Sequence, residues 1–211
     1  MGRVLGTALR TTARPRRRAR RSVRAALIEE EVELAGRRLT LLRPPSAEEL
    51  IDEHAFADEE FLPYWAELWP SGVALAAHVA ARDLAGLRVL ELGAGLGLPS
   101  LAAALRGGDV LATDWAEDAV ALLAANAARN HIALRAEVLR WDEPQRFGAG
   151  WDLVLAADVL YEQRNVDQLL ALLPGLGGEI LLAEPGRPFA KEFFARWGAV
   201  EEIGERLYRL G

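Results

Sequence analysis

Between residues 87 and 210 short apolar runs alternate with longer amphipathic stretches. Residues 87–92, 110–114, 133–139, 152–158 and 179–184 each read as a strand. The stretches at 98–105, 116–130, 165–173 and 189–197 carry apolar residues at helical spacing, and Gly107-Gly108 stops the first of them. Residues 200–203 and 206–210 read as a closing hairpin. Strands that are apolar throughout and alternate with helices predict an α/β fold: a doubly wound, mostly parallel seven-stranded sheet with an antiparallel C-terminal hairpin.

Upstream the period changes. Leu27, Ile28, Val32 and Leu34 precede Ala35-Gly36, and Leu39, Leu41 and Leu42 follow, which predicts a β-hairpin turning at the glycine. Pro44-Pro45 ends it. Ser46, with Glu49 three residues on, is placed to cap a short acidic helix reaching His54. The connector 63–72 is unusually aromatic, and Ser71 is expected to open a helix ending near Asp83. The resulting organisation is an arginine-rich segment at 1–25, a hairpin-and-helix extension at 26–62, and a main domain at 63–211.

Charge sharpens that division. Residues 1–25 hold nine arginines and no acid, leaving 16 basic against 31 acidic residues in the rest of the chain. The first segment is read as a disordered tail or a misassigned start, since it lacks the apolar core of a secretory signal. The acidic body repels a phosphate backbone and suits a cationic partner, so nucleic acid is disfavoured. There is no cysteine, which excludes a disulfide framework and a thiolate nucleophile. His54, His78 and His131 lie too far apart in sequence for close-set metal-ligand spacing, and no metal is expected. No apolar run reaches the roughly 20 residues that span a bilayer, so no membrane partner is expected and the cytoplasm is the expected compartment.

The candidate chemistry centres on Glu91-Leu-Gly-Ala-Gly-Leu-Gly97, directly after one strand and opening a helix. Glycines there let a ligand approach the backbone, and the helix start presents free N–H groups. Asp114 closes the next strand, where an acid can accept both hydrogen bonds of a ribose diol. A dinucleotide fingerprint would place its third glycine where Leu98 stands, which disfavours a nicotinamide enzyme.

With this loop, Pro63-Tyr-Trp-Ala-Glu-Leu-Trp-Pro-Ser-Gly72, Thr113-Asp-Trp115, Asn126-x-x-x-Asn130 and Asp158-Val-Leu-Tyr161 follow in order. Over residues 63–210 the chain resembles the class I S-adenosylmethionine-dependent methyltransferases. Within them it resembles the D-x-x-Y protein lysine methyltransferase group, including the electron-transfer flavoprotein β-subunit enzymes and bacterial proteins labelled nicotinamide N-methyltransferase-like. The resemblance implies S-adenosyl-L-methionine as cofactor. It implies that Trp69 packs by the methionine end, that Glu91, Gly93, Ala94, Gly95 and Gly97 form the loop, and that Asp114 holds the ribose. Trp115, Trp141 and Asp142 would flank the adenine, and Ala157, Asp158 and Tyr161 would close over the methyl group. Glu184-Pro-Gly-Arg187 stands where relatives often carry Asp-Pro-x-Arg.

The implied activity is N-methylation of lysine on a protein, with a small heterocycle or amine as the alternative acceptor. An RNA methyltransferase would carry an Asn/Asp-Pro-Pro-Tyr/Phe motif in place of Asp-Val-Leu-Tyr, and a non-catalytic cofactor-binding protein would not need an intact Asp158-x-x-Tyr161. A lysine of ordinary pKa costs about 4.6 kcal/mol to deprotonate at pH 7. Asp158 is expected to orient the amine and pass its proton to water, with Tyr161 narrowing the mouth; a carboxylate alone would favour the ammonium. As alternatives, Asp158 caps the following helix, Asn130 caps the end of its own, and Trp65 and Trp69 anchor the neighbouring helix. Trp151 and Trp197 are expected in the core.

Overall fold

A computed structural model describes residues 27–47, 50 and 63–211. The arginine-rich segment 1–25 lies outside them, as does nearly all of the acidic helix expected to end at His54. The chain begins with an antiparallel hairpin, β1 (Ile28–Leu34) and β2 (Arg37–Arg43), turning at Ala35-Gly36. A single 3₁₀ turn (Tyr64–Ala66) leads to α1 (Pro70–Ala80). Pro70, not Ser71, opens α1: proline at the first helical position lacks only an N–H that the helix could not use. The helix also stops short of Asp83.

Then follow β3 (Arg88–Leu92), α2 (Leu98–Leu105), β4 (Asp109–Asp114), α3 (Glu117–Arg129) and β5 (Arg135–Val138). The second half holds β6 (Leu153–Ala157), α4 (Gln163–Leu172), β7 (Glu179–Ala183), α5 (Ala190–Trp197), β8 (Val200–Gly204) and β9 (Leu207–Leu210). The main sheet has seven strands in the order β5-β4-β3-β6-β7-β9-β8. Five are parallel, and β9 joins β7 antiparallel with β8 beside it. The fold is the predicted one.

Alternation along the strands builds two cores. Val89, Leu153, Leu155 and Leu181 face α1, α2 and the hairpin's Leu34, Leu39 and Leu41. Leu90, Leu92, Val154 and Leu182 face α4 and α5, where Phe193 is fully buried. Trp151 belongs to this second core, its Nε1 donating to the Phe147 carbonyl at 3.0 Å. Trp197 is only half-buried: it stacks on Phe193 at 5.9 Å and donates to the Gly211 carbonyl. It sits at the C-terminal end of α5, where one ring face has no further layer to meet. No helix among the described residues is long and apolar enough to cross a membrane.

The hairpin is held by two side-chain amides rather than by a third strand. Asn126 accepts from Leu42 N at 2.7 Å and donates to Leu42 O at 2.9 Å. One helical turn on, Asn130 accepts from Thr40 N and donates to Thr40 O, both at 3.0 Å. Each amide thus completes one residue of the outer edge of β2, which an ionised Asp at that place, an acceptor only, would not satisfy in both directions. Asn130 does stand at the C-terminal boundary of α3, but its amide serves the hairpin as well as bonding back to the Asn126 carbonyl at 2.8 Å. Asn126→Ala should destabilise the protein by about 1–3 kcal/mol, because it strands a backbone donor and acceptor. Urea unfolding checks the magnitude, and faster exchange of the Leu42 amide with no change at Leu90 checks the location.

Candidate functional site

The strand order reverses at β3, whose carboxyl end lies between those of β4 and β6. Such a switch point opens a crevice, because the connections on either side leave toward opposite faces of the sheet. The loop 93–97 turns there, with Gly95 at φ +52° and Gly97 at φ +75°. Packing fixes the residue type at both. A Cβ on Gly97 would lie 2.3 Å from Leu123 Cδ1 of α3, and one on Gly95 would lie 3.1 Å from the Trp65 carbonyl. The protein's own chain therefore crowds both glycines, the alternative to close approach of a ligand.

Two buried carboxylates hold this loop. Asp114, at the end of β4, accepts from Gly95 N and Ala116 N at 2.9 Å each, one bond per oxygen. Burial raises its pKa, against which the backbone N–H bonds act. The Trp115 N–H acts on the same carboxylate, which keeps capacity for one further donor. Glu91 reaches across from β3 to the first turn of α2, accepting from Ser100 N at 2.9 Å and from Ser100 Oγ. Burial pushes its pKa up to about 8, an effect that the Ser100 bonds reduce and the Asp114 charge increases. Glu91 is thereby a strut under the loop as well as a residue of the cleft wall.

Across the crevice β6 ends at Ala157, and Asp158 takes a left-handed backbone, φ +57°, with its N–H on the Ala183 carbonyl. Its carboxylate does not cap α4, whose N-cap Glu162 has no side-chain bond to the helix. It receives a forked ion pair from Arg187, Nε to Oδ1 at 2.7 Å and Nη2 to Oδ2 at 3.1 Å. The Arg187 guanidinium also lies 5.5 Å from the centre of the Trp69 ring. Its own N–H donates to Glu184 Oε1 at 2.5 Å. Tyr161 packs against Tyr64, ring centres 5.1 Å apart, and Tyr64 against Trp69 at 6.4 Å. Burial, then the charges of Asp114 and Glu162, push the Tyr161 phenol up to about 12, so it is neutral and able to donate at any physiological pH.

Trp69, Glu91, Gly93, Ala94, Gly95, Gly97, Asp114, Trp115, Trp141, Ala157, Asp158 and Tyr161 line one cleft of about 780 Å³. Asp142 lies apart from them. It lines a second recess that shares Trp115, Trp141 and Tyr161, and it pairs with Arg140 at 3.2 Å. Two participants were not singled out from the sequence. Tyr64 is visible there only as one more aromatic residue of the connector. Arg187 is part of the Glu184–Arg187 stretch, but its partner 29 residues away is set by the adjacency of β6 and β7. Among the described residues no group of three or more potential metal ligands comes together.

Comparison with known proteins agrees with this arrangement. A family model described as "Lysine methyltransferase" matches residues 62–194. The electron transfer flavoprotein beta subunit lysine methyltransferase of Danio rerio is 34% identical over 135 residues, 59% of this chain and 51% of its own. The protein N-lysine methyltransferase METTL21A of Danio rerio is 35% identical over 153 residues, 65% and 68% of the two chains. The match thus spans about half the length of the first relative. Among solved structures, a T. thermophilus 16S rRNA N2 G1207 methyltransferase (RsmC) in complex with AdoMet and guanosine shares the fold. Its TM-score is 0.65 at 17% identity, covering 90% of this chain and 52% of that one.

The raised pKa of Glu91 has a signed consequence for stability. A buried acid whose folded pKa lies above its unfolded value binds more protons folded than unfolded, so stability falls as pH rises through that window. For Glu91 the window runs from 4.5 to about 8. Glu91→Gln, which does not titrate, should therefore gain on the wild type by roughly 4 kcal/mol between pH 5 and pH 8.5. Thermal unfolding of both proteins at the two pH values measures that difference.

Proposed function

Because the chain belongs to the lysine methyltransferase family, we propose that it transfers a methyl group from S-adenosyl-L-methionine to the side-chain amine of a lysine on a protein. The observation that carries the reading is the single cleft at the carboxyl end of β3, where loop 93–97, Asp114 and the Asp158–Tyr161 segment meet.

The cleft's lining fits the cofactor. Asp114 is buried, anchored by backbone N–H groups of Gly95, Ala116 and Trp115, and keeps acceptor capacity for a ribose hydroxyl. Trp115 and Trp141 give flat apolar walls for a purine, and Asp142 in the adjoining recess is the nearby acceptor for an exocyclic amine. Trp69 and the backbone of Gly93 to Gly97 surround the space left for the amino-acid end.

When bound, the cofactor supplies a methyl group on a positively charged sulfur, a leaving group that needs neither metal nor covalent enzyme intermediate. The protein's task is alignment and exclusion of water, and alignment can lower a barrier by about 7–11 kcal/mol. Asp158 can accept one N–H of the incoming amine, fixing its direction. Neutral Tyr161, braced by Tyr64, limits the width of the mouth and can donate to the acceptor's surroundings. The acidic body, with 31 Asp and Glu in the whole chain, favours a cationic acceptor surface. Several relatives are named as protein lysine methyltransferases, four of them for electron transfer flavoprotein beta subunit, which makes that subunit the first acceptor to try.

Incubating the protein with methyl-labelled S-adenosylmethionine and cell extract should label a protein band that yields methyl-lysine on hydrolysis. Asp114→Asn should reduce that labelling at least tenfold, since it converts one acceptor oxygen to a donor. Label recovered only in small amines or in RNA would contradict the lysine reading.

A further inference from the structure

The Arg187–Asp158 fork takes no part in the steps above. It nevertheless covers the Asp158 carboxylate in the cleft wall, leaving 5% of that side chain exposed. Resting on the amine-acceptor reading, we propose that Arg187 is a positioning residue that neutralises Asp158, so that the acceptor amine meets an ion pair rather than a bare carboxylate and is therefore held in its reactive, uncharged form.

The geometry supports this in three ways. The fork is bidentate, which fixes the plane of the carboxylate and still leaves each oxygen a lone pair for an N–H of the acceptor. Arg187 has a contact beside the fork on each part of the residue: its guanidinium lies over the Trp69 ring, and its backbone N–H donates to Glu184 Oε1. The left-handed backbone of Asp158, tied to Ala183, sets its side chain toward β7, where Arg187 follows.

The chemical need is specific. A carboxylate standing alone within about 4–6 Å of an amine raises the amine's pKa by about 1–3 units, which would hold a lysine as the unreactive ammonium. In the transfer, the nitrogen lone pair forms the new N–C bond while the C–S bond breaks and its electrons stay on sulfur. A proton leaves nitrogen for solvent, so the amine must be uncharged before attack. Paired with a guanidinium, Asp158 can orient that amine with little of the charge that would protonate it.

The other charged and titratable groups around the pair are few. Glu184 lies behind it at the end of β7, with Oε2 buried and unpartnered and its pKa raised by burial. Tyr64 and Tyr161 stand on the mouth side, and Glu67 and Asp114 line the same cleft. Glu162 pairs with Arg164 at 2.5 Å. From the C-terminal hairpin Arg206 bonds the Pro185 carbonyl, and Tyr208 lies within electrostatic reach of Glu184. Of these, only Arg187 touches Asp158 through two bonds.

The test follows kcat/KM from pH 6 to 10.5 with labelled cofactor and two acceptor pools, single-lysine peptides and small primary and heteroaromatic amines. Binding of S-adenosylhomocysteine to each variant checks that the cleft is intact. Arg187→Gln should move the midpoint of the rising limb up by about one pH unit, a loss of roughly tenfold at pH 7.5 that is recovered at high pH. Asp158→Asn should move it down, and Arg187→Lys and the double variant Asp158→Asn/Arg187→Gln should keep it near the wild type. A loss by the same factor at every pH, or a shift that persists in the double variant, would show that Arg187 is structural only and overturn the proposal. Wild-type label in amines but not peptides would refute lysine as acceptor while the midpoints still decide on Arg187; label in neither pool would overturn both.

Discussion

The whole site depends on the short turn between β3 and α2. β3 lies between β4 and β6, and the helices that follow these strands cover opposite faces of the sheet, so space opens above its carboxyl end. The chain must reverse there within five residues without filling that space. It does so through left-handed Gly95 and Gly97, and the turn is then tied sideways by Asp114 and from below by Glu91. Both acids are buried, and both are therefore costly unless bonded. Their N–H partners come from the loop, from the first turn of α2 and from the start of α3. Removing either acid would release the same segment that walls the cleft.

A second balance operates on the far side. Three acids, Asp114, Asp158 and Glu184, converge on a region with one well-placed cation, Arg187. The arginine spans two of them, through its side chain to Asp158 and through its backbone to Glu184. Its guanidinium rests on Trp69, which immediately precedes α1. The ends of β6 and β7 and the start of α1 are thus joined through a single residue. The cleft's rim is set by this network rather than by apolar packing, which is why Tyr64 can remain 40% exposed while the residues beneath it are buried.

Much of the fold was legible because buried parallel strands leave a plain signal: Leu90, Leu92, Val154 and Leu182 lie in runs bounded by glycine or acid. The cleft was legible because its walls come from strand ends, where Asp114 and Asp158 stand next to apolar runs. What the sequence does not carry is pairing across the sheet. The Asp158–Arg187 fork follows from β6 lying beside β7, and the Asn126 and Asn130 contacts follow from a hairpin docking on α3 more than 80 residues later in the chain. Gly97 illustrates the same limit. Its glycine is demanded by Leu123, a tertiary neighbour, although a ligand-binding loop would demand it too. Asp142 follows β5 and lines a recess that adjoins the main cleft through Trp115, Trp141 and Tyr161, a placement that only the folded chain displays.

The central claim is that this cleft holds the adenosyl and amino-acid parts of S-adenosylmethionine against Asp114 and loop 93–97. Calorimetric titration of the purified protein with S-adenosylhomocysteine, and separately with NAD, tests it most directly. The account predicts saturable one-to-one binding of S-adenosylhomocysteine in the micromolar range and no heat with NAD. Absence of binding by S-adenosylhomocysteine, or equal binding of NAD, would contradict it.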